Sequence, residues 1–204
     1  MENKGKRDFD AAAATWDNEP RRLKLAQEVV AAITSRLPLT AGMTALDYGC
    51  GSGLVTLGLH GFVSRITGAD SSQGMLDVLD AKVAERGIDN VTTLHIDLEH
   101  QEAIPGKYDL IVSSMTMHHV KDVEGLVQSL VASLNPGGWL ALADLEKEDG
   151  SFHADTVVEH NGFEREFFPG TFQRAGLSEI GVVTAAVVEK GERSYPVLLA
   201  FGSK

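Results

Sequence analysis

The sequence predicts an α/β fold, a doubly wound and mostly parallel sheet within a single domain spanning residues 1–204. From residue 44 to residue 143, short apolar runs alternate with stretches of helical periodicity. The 21 glycines separate these runs throughout the chain and do not concentrate in a linker. Strands separated by helices are usually joined as parallel neighbours by right-handed crossovers, so this alternation predicts a parallel sheet.

The first 40 residues are predicted to form an N-terminal helical cap. Apolar residues recur at helical spacing over residues 11–37, with an interruption at Pro20 and an end at Pro38. Residues 41–145 are predicted to form the core of the domain. Its predicted strands are 44–48, 64–69, 91–96, 108–114 and 139–143, and its predicted helices are 54–61, 72–86 and 122–134.

The end of the chain departs from this alternation. Residues 146–168 are rich in His, Glu and Asp without a clear period, which indicates an insertion near the strand ends. Residues 169–204 are predicted to form a helix and an antiparallel hairpin of strands 180–188 and 194–201, which raises the sheet to seven strands.

Composition excludes several classes of partner. The chain has 18 Lys and Arg against 29 Asp and Glu, a net charge of −11, and we therefore expect no nucleic-acid partner. No apolar stretch approaches the ~18 residues that a membrane span needs, so we expect no membrane partner. Cys50 is the only cysteine, which excludes an intrachain disulfide and favours a cytoplasmic location.

The most informative stretch is residues 46–53, where Gly49, Gly51 and Gly53 lie between a predicted strand and a predicted helix. Glycine lets the backbone approach a ligand closely, and the turn directs the free amides of the following helix at that ligand. A dinucleotide fingerprint would have a third glycine where Leu54 stands. Asp70 ends the second strand, where a carboxylate accepts hydrogen bonds from both ribose hydroxyls of an adenosine.

These motifs resemble those of the class I S-adenosylmethionine-dependent methyltransferases, in particular the small type 11/12 subgroup that includes quinone-biosynthesis enzymes. The similarity covers residues 46–143. The matching segments are Leu-Asp-Tyr-Gly-Cys-Gly-Ser-Gly, Gly-Ala-Asp-Ser-Ser, His-Ile-Asp-Leu, Tyr-Asp-Leu-Ile-Val-Ser-Ser-Met-Thr-Met-His-His-Val and Leu-Asn-Pro-Gly-Gly-Trp-Leu.

The resemblance implies a Rossmann-like fold, S-adenosylmethionine as cofactor and S-adenosylhomocysteine as its product. The implied cofactor-binding residues are Gly49, Cys50 and Gly51 in the turn beneath the methionine part, Asp47 and Ser113 near its amino group, Asp70 on the ribose, Asp97 and Leu98 at the adenine, Ser71 and Met75 lining the adenine pocket, and Trp16, Arg21 and Arg22 over the outer end.

Methyl transfer from a sulfonium is an in-line displacement that mainly requires alignment of donor and acceptor, so a base is optional. If the acceptor loses a proton, His118 and His119 after the fourth strand are the candidate catalytic residues. Glu146, His153 and His160 of the insertion are candidates for recognising the acceptor. Their spacing matches no compact ligand motif, so we expect no metal.

The sequence therefore predicts methyl transfer to a small-molecule acceptor. A nicotinamide-dependent oxidoreductase shares the strand, the glycine turn and the ribose-binding acid, and remains an alternative. A non-catalytic module that binds S-adenosylmethionine is a second alternative, and a protein methyltransferase with an open groove is a third. The accepting atom (O, N, C or S) and the oligomeric state stay open.

Overall fold

A computed structural model describes residues 5, 7–96 and 104–204 of the chain. The α-helices within these residues are α1 (Phe9–Ala12), α2 (Pro20–Arg36), α3 (Leu54–Leu59), α4 (Gln73–Arg86), α5 (Val123–Ala132) and α6 (Phe167–Arg174). The strands are β1 (Thr44–Tyr48), β2 (Arg65–Asp70), β3 (Val91–His95), β4 (Tyr108–Ser114), β5 (Leu134–Leu145), β6 (Ser178–Lys190) and β7 (Arg193–Ser203).

The seven strands form one sheet in the order β3-β2-β1-β4-β5-β7-β6. β1 to β5 run parallel, and β7 runs antiparallel to both of its neighbours, β5 and β6. The strand order reverses between β1 and β4, which leaves a crevice at the carboxyl ends of these strands. The predicted seven-stranded doubly wound sheet with a terminal hairpin is confirmed.

Several predicted boundaries differ from the structure. β5 begins at Leu134, not at residue 139, because Leu134 pairs with Tyr108 and a register shift accommodates the Pro-Gly-Gly turn. The Gly137 amide also donates to the carbonyl of Lys204, which ties this turn to the end of the chain. The interruption predicted at Pro20 is confirmed, since α2 begins at that residue, but a 3-10 turn (Ala13–Asn18) also separates α1 from α2.

The sheet is buried on both faces, as expected of parallel strands covered by crossover helices. Side chains of β1 alternate between the faces, with Ala45 packed toward α2 and α3 and Leu46 packed toward α5 and α6. Phe168 and Phe172 of α6 are fully buried on the face of the sheet that α5 and α6 cover. None of the helices that the structure describes is long and apolar enough to cross a bilayer.

Replacing Phe168 by Ala is expected to lower the free energy of unfolding by about 3–5 kcal/mol, because the side chain is 2% exposed and its removal leaves a cavity beside Phe163 and Phe172. Urea unfolding measures the change. The matched control is Phe62→Ala, since Phe62 is 46% exposed and its loss should cost less than about 0.5 kcal/mol. Equal destabilisation by the two variants would contradict this packing.

Candidate functional site

The glycine turn after β1 folds tightly against the end of β2. The amides of Gly49 and Cys50 both donate to the carbonyl of Ala69, at 2.7 and 3.0 Å. Gly49 has φ +71°, and a Cβ there would overlap the side chain of Thr116. Gly51 has φ +52° and open space where a Cβ would stand. The turn therefore leaves its backbone uncovered at Gly51, where the sequence predicts the close approach of a ligand.

Asp70, at the end of β2, joins this turn to the start of α4. One carboxylate oxygen accepts the Gly51 N–H at 2.7 Å, and the other accepts the Ser72 N–H at 2.9 Å. Burial raises the pKa of the Asp70 carboxyl, and the same N–H bonds oppose that rise. Ser71 and Met75 follow it along the same wall. The predicted adenine residues Asp97 and Leu98 lie outside the described residues.

Asp47 lies within the sheet beneath the turn, where it is 1% exposed. The hydroxyl of Thr56 donates to its carboxylate at 2.6 Å, and burial raises the pKa of Asp47 to about 7. Ser113 was predicted near the same place. Its buried hydroxyl donates to the Tyr48 carbonyl at 2.6 Å, and the structure does not place Ser113 among the lining residues of the cavity described below.

The N-terminal segment, residues 7–19, is anchored on both sides of the glycine turn. The carboxylate of Asp10 accepts the hydroxyl of Ser72 at the start of α4, at 2.6 Å. The carboxylate of Asp17 accepts the hydroxyl of Ser52 at 2.6 Å and forms an ion pair with Lys82. These contacts hold the segment over the carboxyl ends of β1 and β2.

Trp16, Arg21 and Arg22 all face the space under this segment. The Arg22 guanidinium lies 3.6 Å from the centre of the Trp16 ring and donates to the Trp16 carbonyl at 2.7 Å. Arg21 instead forms an ion pair with Glu19 at 2.9 Å. Among the described residues, Arg22 uses one of its five guanidinium donors and Arg21 uses two, so both retain donors for a ligand.

Three histidines, His118, His119 and His153, form the histidine cluster opposite the glycine turn. The His118 ring centre lies 4.2 Å from that of His119 and 4.7 Å from that of His153. His118 Nδ1 lies 2.7 Å from a carboxylate oxygen of Asp144, and both side chains are buried. Since the backbone N–H groups of His118 and Leu145 also donate to Asp144, we assign the proton to Nδ1.

The other two rings of the histidine cluster are neutral at physiological pH. Burial, followed by the neighbouring His118, lowers the pKa of His119 to about 3. The same two causes lower the pKa of His153 to about 4. The buried Nδ1 of His153 has no hydrogen-bond partner among the described residues. His119 and His153 therefore offer ring nitrogens, rather than positive charge, to a bound molecule.

Two predicted acceptor residues of the insertion direct their side chains to other partners, although the His160 N–H donates to the His118 carbonyl at 3.1 Å. Glu146 forms an ion pair with Arg165 at 3.2 Å, and His160 Nε2 contacts the Val120 carbonyl at 3.0 Å. Neither belongs to the lining of the cavity. Within residues 5, 7–96 and 104–204, no group of three His, Cys, Asp or Glu side chains is arranged to hold a metal ion.

A single cavity of about 870 Å³ joins the glycine turn to the histidine cluster. Its volume is within the range of small-molecule sites. The sequence-predicted residues that it brings together are Trp16, Arg21, Arg22, Asp47, Gly49, Cys50, Gly51, Asp70, Ser71, Met75, His118, His119 and His153. Sequence reasoning missed Asp144, for which the available signal was an acid at the end of β5.

The sequence pattern of a methyltransferase domain family matches residues 21–178, which is most of the chain and includes β1 to β5 and the glycine turn. The chain belongs to the class I S-adenosylmethionine-dependent methyltransferases. The predicted type 11/12 family and its cofactor are thereby confirmed. The nicotinamide-dependent alternative is set aside.

Curated relatives of this methyltransferase include an uncharacterised methyltransferase of Schizosaccharomyces pombe, 33% identical over 72% of the chain and 57% of the relative. A ubiquinone biosynthesis O-methyltransferase of Burkholderia vietnamiensis is 32% identical over 55% of the chain and 48% of its own length. The chain thus spans about half the length of these relatives.

Solved structures support the fold of the methyltransferase. A Haloferax volcanii putative methyltransferase, in complex with the Trm112 methyltransferase activator, superimposes with a TM-score of 0.77 at 18% identity, covering 100% of this chain and 99% of that one. A Haemonchus contortus phosphoethanolamine N-methyltransferase in complex with S-adenosyl-L-methionine gives a TM-score of 0.73 at 15% identity, covering 98% and 60%.

Replacing Asp70 by Ala is expected to weaken S-adenosylhomocysteine binding by roughly 1.5–3 kcal/mol, because the carboxylate that the sequence predicts to accept the ribose hydroxyls is lost. Calorimetric titration measures the effect. Asp77→Ala, on the exposed face of α4, is the matched control and should bind as the unmodified protein does. An unchanged dissociation constant for the Asp70 variant would remove this carboxylate from the site.

The Asp47 carboxyl makes the stability of the protein pH-dependent. Because folding raises its pKa from 3.8 to about 7, its contribution is fully present below the lower value and is lost as the pH rises through the upper one. Asp47→Asn keeps an acceptor for Thr56 but does not titrate. Relative to this variant, the unmodified protein should lose on the order of 4 kcal/mol between pH 4 and 8 in urea unfolding. Parallel stability curves would show that Asp47 does not titrate as described.

Proposed function

We propose that the chain transfers a methyl group from S-adenosylmethionine to a small-molecule acceptor held beside the histidine cluster. The observation that carries this proposal is the single cavity between the glycine turn and the His118 and Asp144 pair. The cavity is covered by the start of the chain and by the insertion, residues 146–168, and these two parts are in contact. The Gly5 carbonyl accepts the Thr156 hydroxyl at 3.2 Å and the Val157 N–H at 3.4 Å. A covered cavity favours a small acceptor over a polymer.

The residues present fit the cofactor. Asp70 stands where a ribose would bind, and the open space beside Gly51 leaves room for the methionine part. Arg22, held flat on Trp16, is placed to meet a carboxylate at that end. When bound, S-adenosylmethionine supplies a methyl group activated by its sulfonium charge. The chain's own tasks are to align this group with the acceptor and to exclude water.

His118 is our candidate for the proton acceptor. For an acceptor with an O–H or N–H group, the methyl group that the cofactor would supply would replace the acceptor's proton, and His118 Nε2 would take up that proton. Asp144 holds the Nδ1 proton at 2.7 Å and stabilises the charge that develops on the ring. His119, whose pKa is lowered to about 3, is a weak proton acceptor and is better suited to hydrogen bonding.

The similarity to ubiquinone biosynthesis O-methyltransferases supports a small-molecule acceptor. The Haloferax volcanii relative is bound to a protein activator, and its likeness over the whole chain supports a protein partner as a second proposal. A cytoplasmic location, inferred from the single cysteine, belongs to the same set of proposals.

Acceptor size can be tested without knowing the acceptor. The purified protein is incubated with methyl-labelled S-adenosylmethionine and a cell extract that has been separated by dialysis into small molecules and macromolecules. We expect label to enter the dialysable fraction. Incorporation only into protein or nucleic acid would contradict the proposed acceptor class, and a requirement for a retained protein would support the partner.

His118→Gln is expected to lower kcat by about 10²- to 10⁴-fold, the usual contribution of general acid–base catalysis, on the acceptor found in that experiment. The affinity for S-adenosylhomocysteine should stay unchanged, which also verifies the fold of the variant. His160→Gln is the matched control, because His160 lies outside the cavity lining. Full activity of the His118 variant would remove it as the base.

A further inference from the structure

Arg7 lies between the two ends of the cavity. Its guanidinium stands 5.8 Å from the centre of the Trp16 ring on the cofactor side. Its positive charge also contributes to lowering the pKa of His119 and of His153, each after burial and the nearby His118. Arg7 is therefore close to the place where an acceptor must lie to reach both the cofactor's methyl group and the histidine cluster.

Among the described residues, the charge of Arg7 is poorly compensated. Its ion pair with Asp155 is 3.6 Å long, whereas direct charge-assisted bonds between these groups measure about 2.7–2.9 Å. The Asp155 side chain is 71% exposed, and an ion pair so exposed contributes little. A guanidinium carries five N–H donors in a planar fork, and the part of the chain that the structure describes leaves most of those of Arg7 available to a ligand.

Lys190, at the end of β6, brings a second cation to the acceptor end. Its ammonium donates to the Phe152 carbonyl at 2.6 Å and lies 5.6 Å from the Phe152 ring. Its charge contributes to lowering the pKa of His153, whose main causes are burial and His118. Within the described part of the chain Lys190 forms no ion pair. An ammonium ion has further donors after this one bond.

Two acids on this wall leave the two cations largely uncompensated. Asp122 caps α5 by accepting the Gly125 N–H at 2.9 Å, and Asp155 holds the long ion pair with Arg7. His119 and His153, whose pKa values burial lowers to about 3 and about 4, add no charge at neutral pH. Within the described residues, an anionic group would consequently find two cations with unused donors.

The shape of this end favours a planar molecule. Phe9 lies edge-on to both Trp16 and His119, at 5.7 and 5.4 Å between ring centres. Phe152 lies edge-on to His153 at 4.8 Å, and the His119 and His153 rings lie 6.0 Å apart. This row of rings offers apolar surface to a planar ligand, and a planar carboxylate matches the fork of a guanidinium.

We propose that the methyl acceptor is a planar molecule bearing a carboxylate, which Arg7 and Lys190 bind while the aromatic and histidine side chains hold its ring. This inference rests on the proposed function and narrows its substrate class. The buried Nδ1 of His153, unpartnered among the described residues, is available to a second polar group of the same molecule. Arg7 and Lys190 determine specificity in this account and take no part in proton transfer.

The test uses the full chain saturated with S-adenosylhomocysteine, so the first titration already examines the proposed cofactor site. Three planar probes of equal shape are then titrated by calorimetry: 2-naphthoate, its neutral amide and its cationic amidine. We expect 2-naphthoate to bind roughly tenfold or more tightly than the amide, the effect of charge-assisted hydrogen bonding, and the amidine to bind most weakly.

Arg7→Gln and Lys190→Gln should each reduce the preference for 2-naphthoate without changing the affinity for S-adenosylhomocysteine. Arg193→Gln, whose side chain pairs with Asp149 outside the cavity lining, is the matched control and should keep the preference. Equal affinity for acid and amide, including no binding of either, would overturn the proposal, as would an undiminished preference in Arg7→Gln. Failure to bind S-adenosylhomocysteine would instead overturn the proposed function.

Discussion

The site depends on one carboxylate at the end of β2, next to the strand at which the order reverses. Asp70 accepts the Gly51 N–H from the glycine turn and the Ser72 N–H from the start of α4, so it joins the two backbone segments that follow β1 and β2. Asp10 of the N-terminal segment then binds Ser72, which ties the cover of the cavity to the same place. The glycine turn and the N-terminal segment that covers the cavity are therefore both held at the carboxyl end of β2.

The two ends of the cavity are electrostatically distinct, and this difference fits methyl transfer. Near the turn, Asp47 and Asp70 supply carboxylates beneath the place for a positively charged cofactor. At the other end burial keeps His119 and His153 neutral, and the Asp144 carboxylate bonded to His118 would stabilise positive charge that develops on that ring. A proton released by an acceptor would move away from the sulfonium side of the cavity.

The parts of the site that could be predicted from the sequence are those that lie in local motifs. The glycine turn and Asp70 lie next to strands whose apolar runs are unambiguous, so their positions at the sheet edge followed from sequence order. Asp144 binds a histidine 26 residues earlier, and Arg7 enters through the fold of the N-terminal segment, so neither pairing has a local signal. The early start of β5 could not be predicted either, because it depends on the pairing of Leu134 with Tyr108, whereas the Pro-Gly-Gly residues that follow indicate a turn.

The most direct measurement is a crystal structure of the full chain with S-adenosylhomocysteine bound. We expect both ribose hydroxyls to lie within hydrogen-bond distance of the Asp70 carboxylate. We expect the sulfur atom to face His118 across the space beside Arg7. A ribose placed away from Asp70, or a sulfur atom directed away from the histidine cluster, would contradict it.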